Sequence, residues 1–269
     1  EEGLLDKGEI TDIDTSKINI RFDNVSFKYP ASEDYVLKDA SFEIKNGETV
    51  ALVGKNGAGK STIVKLLCKF YEPTEGHIYL NDIDISKIST KKYYQILSPT
   101  FQDFRLFPFR ISENITSKLK EDIGGDEYKD MDRAFDLLNL SSWVNKQVEK
   151  EDTFLTYLFS DKSIEPSGGI GQKLALARSI FHEGNFFIMD EPTSALDPRS
   201  EQEIFENMLK ISKGQTSLFI SHRLSSTKYA DRIIVCDKGK ITENGTHENL
   251  MKEDGLYKEM FTTQAELYA

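Results

Sequence analysis

Thr49-Val50-Ala51-Leu52-Val53-Gly54-Lys55-Asn56-Gly57-Ala58-Gly59-Lys60-Ser61-Thr62 decides the fold of this chain. Val50 to Val53 is a short apolar run, the mark of a strand buried on both faces. Gly54 to Ser61 fits G-x-x-x-x-G-K-[ST], the phosphate-binding loop. Ile63, Val64, Leu66 and Leu67 then continue with the apolar spacing of a helix, so the loop is expected between a strand and a helix. Gly54, Gly57 and Gly59 let the backbone take positive φ and approach a ligand closely. The backbone N–H groups from Gly54 through Lys55, Asn56, Gly57, Ala58, Gly59, Lys60 and Ser61 to Thr62 are expected to form an anion nest at the positive end of the following helix. Lys60 can reach the β- and γ-phosphates, and the Ser61 hydroxyl can ligate Mg²⁺. A Gly-rich strand-to-helix turn that binds nothing is the alternative, and the complete pattern in its strand–helix setting argues against it. The motif specifies a nucleoside triphosphate and leaves open how its energy is used.

The chain has 269 residues, 38% hydrophobic and 29% charged, which suits one large or two small globular domains. A net charge of −11 argues against a long nucleic-acid footprint, which needs a basic face. No run approaches the ~20 apolar residues that span a bilayer. Glu1-Glu2-Gly3-Leu4-Leu5-Asp6 is acidic and has no signal-peptide pattern. Cys68 and Cys236 lie in apolar surroundings without metal-ligand spacing, and read as buried free thiols of a cytosolic protein.

Residues 1–17 are polar and read as a tail or linker. Ile18 to Phe22 and Val25 to Tyr29 alternate as half-buried strands do, and Pro30 ends them. Val36-Leu37 and Ala40 to Ile44 read as another strand, closed by the Asn46-Gly47 turn. If this β layer folds back on the phosphate loop, Tyr29 sits near it and can stack on a base; taken alone, it reads first as an ordinary strand aromatic. Asp126 to Leu140 has amphipathic helical spacing, and the stretch from 104 to 165 reads as a mostly helical insertion. Ser167-Gly168-Gly169 opens a strong helix, with Ser167 as its cap and a second set of free backbone amides. Asn185 to Glu191 is an apolar strand ending in two acids. A buried carboxylate at a strand end is costly unless it meets a cation, and Asp190 beside a Mg²⁺-bearing loop satisfies that condition. Glu191 is then placed to hold a water in line with the γ-phosphate. Ser217 to His222 is a further strand, with His222 where a γ-phosphate sensor can sit, although a lone histidine is more often structural. Arg232–Cys236 and Lys240–Glu243 read as a hairpin through Lys238-Gly239, and Asn249 to Leu267 as helical.

Together these segments resemble an ATP-binding cassette (ABC) domain, from about Ile18 to Phe261. The motifs stand in family order: an aromatic A-loop residue at Tyr29, Walker A at Gly54–Thr62, a Q-loop at Gln102, a signature-like Ser167-Gly168-Gly169, Walker B ending at Asp190-Glu191, a D-loop at Ser194-Ala195-Leu196-Asp197, and a switch histidine at His222. Phe27-Lys28-Tyr29-Pro30, Ser112-Glu113-Asn114-Ile115 and Ser221-His222-Arg223-Leu224-Ser225 look like bacterial exporter sequence, similar to peptide or lantibiotic types. The resemblance implies an α/β fold, a P-loop NTPase (RecA-like) core with an N-terminal antiparallel β layer and an inserted α-helical subdomain. Residues 18–269 would be the cassette, with core and β layer at 18–102 and 173–269 and the helical subdomain at about 103–172.

The same resemblance implies ATP and Mg²⁺ as cofactors, and ATP hydrolysis that powers export of a substrate across a membrane. Lys60, Ser61, Gln102 and Asp190 would hold phosphate and Mg²⁺, Glu191 would polarise water, and His222 would contact the γ-phosphate. The implied partners are a second nucleotide-binding domain docked head to tail and a transmembrane domain, at the cytoplasmic face of the cell membrane. The family signature is Leu-Ser-Gly-Gly-Gln, and here Pro166 and Ile170 flank Ser167-Gly168-Gly169. Two alternatives stand beside the exporter reading. A soluble, non-transport ABC ATPase of the repair type would need a long coiled coil, and Gln102 to Ser167 is too short and lacks heptads. A regulatory cassette that does not hydrolyse ATP is opposed by the intact Glu191.

Overall fold

The computed structural model describes residues 8–159, 161–182, 184–191, 202, 204, 206–208, 214–221 and 223–267. The backbone divides into two compact units.

The first unit comprises 1–99, 184–191 and 212–269. It carries two sheets. In the smaller one, β1 (Ile20–Phe27), β2 (Leu37–Ile44), β4 (Glu75–Leu80) and β5 (Ile83–Asp84) lie antiparallel in the order β2-β1-β4-β5. Its alternation is that of a one-sided strand: Ile20 and Phe22 are buried while Arg21 between them is half-exposed, and Phe22 stacks on Phe42 with ring centres 4.4 Å apart. The larger sheet has the order β10-β9-β3-β8-β7-β6, built from β3 (Thr49–Val53), β6 (Leu97–Thr100), β7 (Phe186–Asp190), β8 (Thr216–Ile220), β9 (Arg232–Asp237) and β10 (Lys240–Gly245). β3 pairs parallel with β8 and β9, and β7 pairs parallel with β8. Every residue of β7 and β8 is buried, which is why these strands read as unbroken apolar runs rather than alternating ones. β3 and β7 therefore run the same way with β8 between them, and their C-terminal ends share one edge of the sheet. That edge carries the phosphate loop after β3 and the acids at the end of β7.

Helix α1 (Lys60–Leu67) follows the loop and buries Ile63, Val64, Leu66 and Leu67, the positions its apolar spacing predicts. A short α2 (Thr90–Tyr94) is capped by Ser89. The C-terminal stretch, expected as one helix, is two: α7 (His247–Leu250) and α8 (Leu256–Leu267), following α3 to α6 of the second unit. The break has a physical cause. The Glu243 carboxylate on β10 accepts the N–H groups of Leu256 and Tyr257 at 2.5 and 3.2 Å, giving the second helix its own N-terminal cap. Residues 9–14, read from sequence as part of a tail or linker, are attached to this unit. Ile10 bridges Ile88, Glu9 and Ile10 donate to the Lys87 carbonyl, Ser89 donates to Ile10, and Ile13 is buried.

The second unit comprises 100–183 and 192–211. It is helical, with α3 (Ile111–Thr116), α4 (Gly125–Leu137), α5 (Ser141–Val144) and α6 (Gly168–Phe181). α4 begins where Glu127 accepts the Gly124 N–H at 2.9 Å, and stops before Asn139, which turns to a φ of 53°. Met131, Ala134, Phe135, Leu138 and Leu140 supply its core with Leu174 and Ala177 of α6. Arg178 ties α6 to α3, donating through Nε to the Asn114 carbonyl at 2.7 Å. Extended pairings at Arg110–Phe154 and Leu155–Ile164 were not legible in the sequence.

Candidate nucleotide site

The loop after β3 takes the backbone its glycines allow. Gly54, Gly57 and Gly59 have φ of 154°, 77° and 110°. A Cβ on Gly54 would lie 2.0 Å from the Cys236 carbonyl oxygen, which closes that position; one on Gly59 would press the Leu37 Cδ2 methyl at 2.7 Å, and there the φ of 110° is what disfavours a side chain. A Cβ on Gly57 would meet nothing within 4 Å. The loop is thus packed against protein at Gly54 and Gly59 and open at Gly57, the shape of a cradle for a group approaching from outside. Gly59 stands at the N-terminus of α1, where free N–H groups and the helix dipole favour an anion.

Lys60 is 7% exposed. Its Nζ curls back over the loop and donates to the carbonyls of Gly54 and Lys55 at 2.8 and 3.2 Å. Burial pulls its ammonium below the usual lysine range, and the charges of Glu191 and Asp190 oppose that pull. Lys60, Glu191 and Asp190 thus meet at one edge of the sheet. Asp190 ends β7 and is 5% exposed, and Glu191 is 6% exposed. Glu191 holds a left-handed φ of 50° and donates its N–H to the Ile220 carbonyl at 3.1 Å. A non-glycine residue in that region carries backbone strain of order 1–3 kcal/mol, held by the surrounding sheet.

Tyr29 sits beside α1. Its hydroxyl is 3.2 Å from Thr62 Oγ1, and its ring stands nearly perpendicular to those of Phe27 at 5.0 Å and Tyr71 at 5.2 Å. Tyr71 was missed by the sequence reading, because an aromatic after a helix has no spacing that marks it. Ser61 is partly exposed at the start of α1. Gln102 and the Ser167 loop belong to the second unit. Gln102 is exposed. Ser167 caps α6, its Oγ accepting the Ile170 N–H at 3.4 Å; Ser167 and Gly168 are exposed, and Ile170 half-buried. His222 and the stretch Ser194-Ala195-Leu196-Asp197 lie outside the described residues. Both cysteines are free and buried.

A phosphate loop after a central parallel strand, with two buried acids ending a parallel strand of the same sheet, defines a P-loop nucleotide-binding fold. Residues 37–194 match the sequence profile of the ABC transporter family. The chain is 43% identical over 246 residues to the subtilin transport ATP-binding protein SpaT of Bacillus subtilis, covering 90% of this chain and 39% of that protein. It is 35% identical to an ATP-dependent lipid A-core flippase of Chromohalobacter salexigens, covering 91% of this chain and 41% of the flippase. A solved bacterial Atm1-family ABC exporter with ATP bound superposes with a TM-score of 0.85 at 33% identity, over 97% of this chain and 44% of that one. The chain belongs to the ABC transporter family, as an ATP-binding domain of the exporter type. It spans about two fifths of the length of these relatives. Among the described residues no helix is long and apolar enough to cross a membrane.

Proposed function

We propose that this chain hydrolyses ATP and so powers export of a substrate across a membrane, as one nucleotide-binding domain of an ABC exporter. The observation that carries this reading is the placing of the phosphate loop with buried Lys60, and of buried Asp190 and Glu191, at the same C-terminal edge of the sheet. The Gly54–Thr62 loop receives the phosphates on its backbone N–H groups. Lys60 exchanges its two carbonyl partners for phosphate oxygens, so its charge is carried into the site without new solvent ordering. Glu191 orients and polarises the attacking water, with its backbone preset by the strained φ. Tyr29 stacks on the base. Charge developing on the γ-phosphate meets donors already in place, the main source of rate enhancement in such sites.

The residues present also suit Mg²⁺. Ser61 and Asp190 are hard oxygen donors of the kind it takes, and the family likeness adds Gln102. Once bound, the ion neutralises charge across the β- and γ-phosphates. His222 is assigned the γ-phosphate contact by likeness alone. The proposed partners are a second copy of this domain, or a sister domain, whose Ser167-Gly168-Gly169 loop faces the nucleotide, and a transmembrane domain. The place of action is the cytoplasmic face of the membrane. Similarity to a subtilin transport protein favours a peptide as cargo. The transport proteins among the relatives disfavour a soluble, non-transport ATPase.

The test is release of phosphate from Mg-ATP by wild type and Glu191→Gln. The variant keeps the side-chain shape and loses the charge that polarises water. It is expected to bind ATP normally and turn over at least ~100-fold more slowly, the scale of losing a positioned base. Near-normal turnover would remove Glu191 from that role.

A further inference from the structure

The phosphate loop is held from behind by a hairpin that the nucleotide reading does not use. β9 and β10 turn at Lys238 and Gly239, with φ of 48° and 80°, the pair of left-handed residues that a tight two-residue hairpin takes. The Gly239 N–H donates to the Ala58 carbonyl at 3.0 Å. The Cys236 thiol donates to the same carbonyl at 3.0 Å. A carbonyl oxygen has two lone pairs, and both of Ala58's are engaged. Cys236 is fully buried, and burial pushes its thiol up to about 11, so it keeps its proton at neutral pH. Its own carbonyl is the atom that closes Gly54 to any side chain. The Gly239 carbonyl in turn accepts the N–H of Lys38 on β2 at 2.8 Å.

The peptide between Ala58 and Gly59 is trans, and in a trans peptide the carbonyl and the following N–H point in opposite directions. Fixing the Ala58 oxygen on the hairpin therefore turns the Gly59 N–H away from it, at the residue that caps α1. We propose that Cys236, with Gly239, is a positioning residue for the phosphate loop: it locks the Ala58–Gly59 peptide in the orientation that presents the Gly59 N–H to a nucleotide phosphate. Cys236 touches no nucleotide itself. The proposal deepens the ATP-binding reading and rests on it. In the sequence Cys236 is one more apolar strand residue, and only its contact with Ala58 gives it a role.

The experiment measures dissociation constants for ATP and ADP by calorimetry, under reducing conditions, with a melting curve for each protein. The proteins are wild type, Cys236→Val, Cys236→Ala, Cys236→Ser and Lys60→Ala. Val fills the space of the thiol with no donor, and Ala removes the donor without any clash, so Ala serves if the Val variant does not fold. Both are expected to bind ATP and ADP about three- to tenfold more weakly, the range of one lost neutral hydrogen bond. Cys236→Ser keeps a donor and is expected to bind within about twofold of wild type, even if its melting temperature falls. A packing role gives the reverse order, with Val binding like wild type and Ser worse. That order, or equal affinities throughout, overturns the proposal. If Lys60→Ala abolishes binding while Cys236→Val and Cys236→Ala leave it unmoved, only the clamp falls. If Lys60→Ala binds ATP like wild type, the nucleotide site is misplaced and the clamp falls with it.

Discussion

Tyr29 shows how much of a residue's role is set by its supports. A ring that stacks on a base contributes about 1–3 kcal/mol if it is already in place. Here Phe27 and Tyr71 pack perpendicular to it and Thr62 holds its hydroxyl. Tyr29→Ala is therefore expected to raise the ATP dissociation constant by roughly 5- to 150-fold, the equivalent of that range, and Tyr29→Trp to keep most of the affinity. Titration with a fluorescent ATP analogue checks both, and wild-type affinity in Tyr29→Ala would leave Tyr29 as a packing residue only. Lys60 was legible at once because its motif is local and chemically specific. The aromatic grip on Tyr29 was not, since Phe27 and Tyr71 are 44 positions apart and meet only in the fold.

At the scale of elements, the loop that opens α6 departs from its family. The Ser167 cap is in place, and Ser167 and Gly168 are exposed at the start of the helix. Ile170 brings a stiff, apolar side chain where the family signature has an amide, removing a donor and an acceptor. One hydrogen bond of this kind is worth about 0.5–1.5 kcal/mol, which weakens a dimer without forbidding it. Ile170→Gln is expected to strengthen ATP-dependent dimerisation and raise ATPase activity several-fold. Sedimentation with Mg-ATP, in the Glu191→Gln background, reads the first effect, and no gain over the parent would make the departure neutral. Elements themselves were read well where the signal was contiguous. The apolar runs of β3, β7 and β8 and the helical spacing of α1 each sit within a few residues. The break between α7 and α8 escaped because its cause, Glu243, lies on another strand. The extended pairings at Phe154 and Ile164 escaped because single bridges leave no period in the sequence.

For the first unit as a whole, Arg232 is a polar fastening between its sheets. Its guanidinium donates to both Glu48 oxygens at 2.6 and 2.8 Å, to the Glu43 carbonyl on β2 at 2.5 Å and to Asn244 on β10 at 3.0 Å. Burial alone would raise the Glu48 carboxyl, but the Arg232 and Lys45 N–H groups and the Arg232 charge outweigh it and hold the group below the usual range. The folded-state value is depressed, so the pair's contribution is complete above the unfolded carboxylate range near 4.3 and is lost as pH falls through the lower folded value. Arg232→Leu is expected to cost about 2–3 kcal/mol at neutral pH, somewhat below the loss for a fully buried pair. It should also flatten the acid side of the stability–pH curve. Urea melts of both proteins from pH 7 to pH 3 decide it; parallel curves would show the bridge contributes nothing to acid stability.

The attachment of residues 9–15 has a mechanical consequence. Glu9, Ile10 and Ser89 form a three-bond splice with the stretch around Lys87, and the Thr15 carbonyl accepts from Asn185, one residue before β7 begins. A pull on the chain upstream of Glu9 is thus borne first by the splice and then by the root of the strand whose far end holds Asp190 and leads into Glu191. Load entering at Thr15 meets the root of β7, and the ladder of β7 with β8 spreads it across the sheet, so residues 9–15 act as a guy line on the strand that ends at Asp190.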